Sequence, residues 1–179
     1  MVLQIIAKLT RGETILPADS TKDKRIDIDS ESDMVDAENI ENNASTQHLE
    51  APVNVIYQTA EDGLGDTIKP RLLAAGADCT KVMVIDDSEQ PLTMADVRLE
   101  EAIVQTKARM VVLDPIQGFL GAEVDMHRAN EIRPLMKRIA ILAEKYHCAI
   151  ILIGHMNKNS NGKSSYRGLG SIDFQAAAR

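Results

Sequence analysis

Three apolar runs in this chain end on a side chain that could act on a phosphate. The run "MVVL" is followed by Asp114. Four apolar residues and then an aspartate is the Walker B pattern, in which a buried strand delivers one carboxylate to a rim where it can hold magnesium, usually through water. Aspartates that cap helices or form turns produce the same ending. The stretch "VNVIYQTA" leads into Glu61. A carboxylate there could polarise an attacking water as a general base; the competing reading is a solvated Glu61-Asp62 pair in a turn before Gly63. The run "CAIILIG" ends on His155, a position from which a polar side chain could sense a terminal phosphate or simply close the strand.

A fourth candidate fails on inspection. Gly162-Lys163-Ser164 has the last three letters of a phosphate-binding loop. That loop needs a glycine five positions earlier, and Asn157 stands there. The residues that follow, "SYRGLGS", do not start a helix, so a helix dipole is missing as well. The stretch reads instead as a loop carrying Lys158, Lys163 and Arg167, which can meet nucleic-acid phosphates without reading bases; a plain solvated loop is the alternative. "DGLGDT" has no third glycine at the offset that a dinucleotide-binding turn requires.

These residues need a scaffold, and the chain supplies one in alternating segments. Val2, Ile5, Ile6 and Leu9 share a helical face over residues 1–11, with Gly12 as a stop. Residues 53–60 form a buried strand. A helix capped by Asp66 runs to about Ala75, with Pro70 early and Gly76 at its end. "KVMVID" (81–86) is a second strand, and a helix with a Thr93/Asp96 capping box follows to about Lys107. "MVVLD" (110–114) is a third strand, 128–146 a long amphipathic helix, and 148–155 a fourth strand. A segment from Ser171 to Arg179 reads as helical. Short strands, apolar on both faces and separated by helices, predict an α/β fold: a three-layer, mostly parallel sheet flanked by helices. Function in such sheets sits at the carboxyl ends of the strands. Glu61, Asp86-Asp87, Asp114 and His155 all fall there.

Composition narrows the possibilities. Aromatics make up 3% of the chain and tryptophan is absent, so the core is aliphatic and base-stacking platforms are scarce. Residues 17–52 hold 10 acidic and 3 basic side chains, which accounts for the whole net charge of −7. The acidity therefore belongs to one segment, predicted to be a disordered insertion, and not to the surface of the core. Cys79 and Cys148 lack metal-ligand spacing and read as reduced thiols of a cytoplasmic protein. No apolar run has the length of a membrane span, and Met1–Ala7 lacks the basic start of a signal peptide.

Taken in order, "NVIYQTAEDGLGDTIKPRL", "MVVLDPIQGFLG", "IRPLMKRIAILAEKYHCAIILIGHMNK" and "YRGLGSIDFQAAAR" resemble the RecA-like ATPase core of the AAA_25/RepA type. This group includes hexameric replicative helicases and related ATPases. The resemblance covers the chain apart from 17–52, and it implies ATP and Mg2+ as cofactors. It implies Asp114 as the Walker B aspartate on magnesium, Glu61 as the catalytic glutamate and His155 as the phosphate sensor. It also implies that the loops after Asp114 and His155, with Lys158, Lys163 and Arg167, face single-stranded DNA in the channel of a homo-oligomeric ring. It implies Arg179 or Arg167 as the arginine finger that reaches a neighbouring subunit's nucleotide. The chain departs from the pattern in lacking a Walker A loop. Residues 1–179 are therefore expected to be a single partial domain, incomplete at both ends, with no tight ATP binding or turnover alone and with "CAIILIGH" as an open sheet edge. The leading expectation is part of a DNA helicase motor. A recombinase-type or regulatory ATPase assembling on DNA, and a non-catalytic remnant serving as an interaction module, are the alternatives.

Overall fold

The computed structural model describes residues 1–15 and 51–154. The acidic segment, apart from its last two residues, and everything from His155 onward lie outside them. Among the described residues four α-helices and four strands follow in chain order: α1 (Val2–Arg11), β1 (Val55–Thr59), α2 (Lys69–Ala74), β2 (Val82–Met83), α3 (Val97–Thr106), β3 (Met110–Asp114), α4 (Ala129–Tyr146) and β4 (Ala149–Leu152). The strands make one sheet in the order β2-β1-β3-β4, parallel throughout.

Strand alternation divides the core into two layers. On one face Val55, Tyr57, Met110 and Val112 pack against Ile6 and Ala7 of α1 and Leu72 of α2. On the other, Ile56, Val111 and Leu113 pack against Leu99 and Ile103 of α3 and against Ile132, Met136, Ile139 and Leu142 of α4. The three-layer α/β prediction therefore holds. β1 and β3, apolar on both faces, are the two central strands.

The helix ends follow from local chemistry. Gly12 closes α1 in the left-handed conformation (φ 74°) that a side chain would disfavour. The last turn of α1 is tied to the amino side of the sheet: Leu9 O accepts from Val53 N, and Thr10 Oγ1 accepts from Asp78 N.

Three boundaries differ from the sequence expectation. Asp66 does not cap the helix before α2. A wide π-type turn, Leu64–Ile68, starts at Gly63, whose carbonyl accepts from both Thr67 N and Ile68 N. The Asp66 carboxylate accepts from Thr67 Oγ1 instead. Asp96 is not the third residue of a capping box but the cap itself: its Oδ1 accepts from Arg98 N at 2.9 Å, so α3 starts at Val97 and not Thr93. The second strand is two residues long where six were expected, because a side chain displaces its ladder, as described below. β4 is an edge of the sheet among the described residues.

Candidate functional site

The carboxyl rim gathers the two candidate carboxylates that the described residues contain. In the β1–β3 register Thr59 lies opposite Asp114. Ala60 N donates to Asp114 O at 3.0 Å, which extends the ladder one residue past the strand. Glu61 is thus two residues beyond the partner of Asp114. Thr59 Oγ1 bends the chain there, accepting from Glu61 N at 3.4 Å and from Asp62 N at 3.1 Å. Glu61 is exposed and Asp114 half-buried. The structure therefore brings Glu61 and Asp114 to neighbouring places on one rim. His155, Lys158, Lys163, Arg167 and Arg179 lie outside the described residues.

Asp114 shares a face with Val112 and Met110, the face covered by α1 and α2. Its Oδ2 accepts a 2.7 Å hydrogen bond from the Tyr57 hydroxyl. Burial, and after it the Asp114 carboxylate, push the Tyr57 phenol well above its ordinary pKa, so it stays a donor. Hydrogen bonds among the described residues leave Asp114 Oδ1 uncommitted.

After Asp114 the chain turns sharply through a cis bond to Pro115 and a short helical turn, Ile116–Phe119. Ile116 N donates to Ile153 O, which fastens this loop to the segment after β4. Gly118 passes so close to Ala60 that an added Cβ would run into the Ala60 Cβ. The two loops that carry the rim carboxylates are therefore packed against each other. Within the second loop Gln117 Oε1 is buried without a partner among the described residues.

A third segment meets the rim through Gln58. This side chain is 1% exposed in an otherwise apolar strand. Its Nε2 donates to Ile85 O (3.0 Å) and to Asp87 Oδ2 (2.9 Å), and its Oε1 accepts from Ile85 N (3.0 Å). The amide thus imitates a neighbouring strand. It takes over the backbone groups of Ile85, ends β2 at Met83 and sets Asp87 at the rim. Arg98 secures the rest of the loop, donating to Asp86 O and Gln90 O while paired with Asp96 at 2.7 Å. That pairing holds the Asp96 carboxyl below its usual range.

Neither Tyr57 nor Gln58 stood out in the sequence. Gln58 carried a signal, a lone amide inside a buried strand. Tyr57 carried none, since a tyrosine in such a strand is ordinary packing until its neighbour is known.

The donor set fits magnesium in one particular manner. Among the described residues no three histidines, cysteines or carboxylates cluster to hold a metal ion. A half-buried carboxylate with one oxygen uncommitted among the described residues suits Mg2+ that takes its remaining oxygens from phosphate and water. A cavity of about 420 Å³ opens elsewhere on the same face, lined by Tyr57, Ile68, Leu72, Cys79 and Val82 among others. Its wall contains neither Glu61 nor Asp114, but Tyr57, the hydrogen-bond partner of Asp114, connects it to the carboxylate rim.

An all-parallel α/β/α sheet with acidic side chains at its carboxyl rim belongs to the class of open α/β domains that bind ligands at that rim. A family model described as an AAA domain, AAA_25, matches residues 38–161. This is more than half of the chain, and the chain belongs to that family of ATPase-type, nucleotide-binding domains. No curated protein matches the chain. Among the described residues no helix is long and apolar enough to cross a membrane.

Proposed function

We propose that this chain is part of the motor domain of a DNA helicase, in which Asp114 holds the magnesium of a bound ATP and Glu61 is the general base. What supports the reading is one observation: the Ala60 N–H bond to Asp114 O brings the backbone that carries Glu61 next to Asp114 at the rim of an AAA-family sheet. When bound, Mg2+ supplies charge neutralisation at the phosphates. Glu61, exposed on a turn held by Thr59, takes a proton from a water as its oxygen attacks the terminal phosphorus. The bond to the bridging oxygen breaks, leaving ADP and phosphate. His155 senses that phosphate, and Lys158, Lys163 and Arg167 contact the backbone of single-stranded DNA in a homo-oligomeric ring, with Arg179 or Arg167 reaching a neighbour's nucleotide.

The 179 residues contain no Gly-x4-Gly-Lys-Ser/Thr loop, the part that supplies most donors to a triphosphate. The expectation is therefore weak Mg·ATP binding and no appreciable turnover by this chain alone. Water-proton relaxation with Mn·ATP measures such binding directly. Asp114→Asn is expected to weaken it about 10-fold, the scale of losing a metal-side interaction, whereas Glu61→Gln leaves it unchanged. Binding that is indifferent to Asp114→Asn would overturn the reading, and a micromolar affinity for the wild type would overturn the expectation of weak binding. A recombinase-type or regulatory ATPase shares this rim; filaments on DNA in place of rings would favour it.

A further inference from the structure

We propose that Tyr57 is a positioning residue for the metal-binding carboxylate, orienting Asp114 so that Oδ1 faces the nucleotide. The inference rests on the reading of Asp114 given above and adds a residue to it. Tyr57 lies opposite Val112 in the β1–β3 register, one pleat before Asp114 on the same face. Its ring is 2% exposed, packed in the cluster formed with α1 and α2. One side of the ring borders the cavity described above, and the packed cluster on its other sides limits how far the hydroxyl can swing. That hydroxyl has one proton to give, and Asp114 Oδ2 receives it at 2.7 Å, a length typical of a bond to a charged carboxylate.

Strand pairing fixes the backbone of Asp114 but leaves its carboxylate free to turn, because the last torsion of aspartate is broad. The Tyr57 bond removes that freedom and assigns the two oxygens different tasks. Oδ2 is spent inside the protein, and Oδ1 is kept for the rim. Phenylalanine would fill the same apolar space and provide no such bond.

The test is the Mn·ATP relaxation titration on the full chain with four proteins: wild type, Tyr57→Phe, Asp114→Asn and the double variant, each checked for folding by circular dichroism. Tyr57→Phe is expected to weaken Mn·ATP about 10-fold, as loss of a partner to a metal ligand does. It should cause no further loss in the Asp114→Asn background, because Tyr57 acts only through that carboxylate. An affinity unchanged by Tyr57→Phe while Asp114→Asn lowers it would refute the role of Tyr57 and leave that of Asp114 standing. Equal losses from Tyr57→Phe in both backgrounds would mean general structural damage and also refute it. No loss with Asp114→Asn would remove the metal assignment and the inference together. Asp114→Glu provides a check independent of Tyr57→Phe, since it keeps the charge but carries it one methylene away from the Tyr57 hydroxyl. Full affinity in that variant would equally overturn the proposal.

Discussion

Replacing Gln58 by leucine isolates the contribution of one side chain to the rim. Leucine has nearly the volume of glutamine and suits a buried strand, so the substitution leaves packing almost intact. It deletes three hydrogen bonds, of 2.9 to 3.0 Å. Asp87 is half-buried and can turn to water. Ile85 is 9% exposed, and its N–H and C=O would both lose their partner. An orphaned buried group costs about 1–3 kcal/mol. Val84 and Asp86 on either side are exposed, so water reaches part of the segment and the lower half of that range applies. The expected loss is about 2–4 kcal/mol, or a fall of roughly 5–15 °C in Tm for a chain of this size. Urea unfolding followed by far-ultraviolet circular dichroism measures it: the midpoint should fall with an unchanged slope. Hydrogen exchange should show the Ile85 amide losing protection while β1 and β3 keep theirs. A loss below about 0.5 kcal/mol, or exchange unchanged at Ile85, would refute the claim that this amide substitutes for a strand.

Gly118→Ala should cost about 1–3 kcal/mol by overpacking and weaken Mn·ATP in the relaxation assay, because the new Cβ would meet Ala60 between the two rim loops. Gly65→Ala is its control: an added Cβ there meets nothing within 4 Å, and in a helical turn the change should gain about 0.5–1 kcal/mol. The two cysteines should differ in reactivity. Burial raises the Cys148 thiol to about 11, so its thiolate fraction at pH 8 is about one part in a thousand, and Cys148 is 3% exposed. Cys79 is half-buried and should take up iodoacetamide first, with Cys148 following only in denaturant; simultaneous labelling would contradict the packing described.

The central strands were legible because their signal is strong and local. Val55–Thr59 and Met110–Asp114 are apolar on both faces, which only a covered parallel sheet accommodates. α1 and α4 came through their apolar periodicity, and Gly12 through the left-handed turn it permits. The errors fell where short-range alternatives compete. Asp66 and Thr93 both have cap-forming side chains, but Gly63 and Asp96 start the helical turns, since the first turn forms wherever carbonyls and capping oxygens find donors. "KVMVID" has strand composition throughout, yet pairing stops at Met83 because a side chain from a neighbouring strand bonds Ile85 first.

The sequence by itself determined the layer order, the two central strands and the fact that Glu61 and Asp114 end strands on one rim. Those follow from periodicity and from the rule that parallel strands share a direction. Only the tertiary structure decided which strands are neighbours and in what register. It is register that sets Tyr57 beneath Asp114, Gln58 against Ile85 and Ala60 against Gly118. A hydrogen bond between side chains 57 residues apart leaves no trace in local pattern, because it depends on how separate strands pair and not on any stretch of chain.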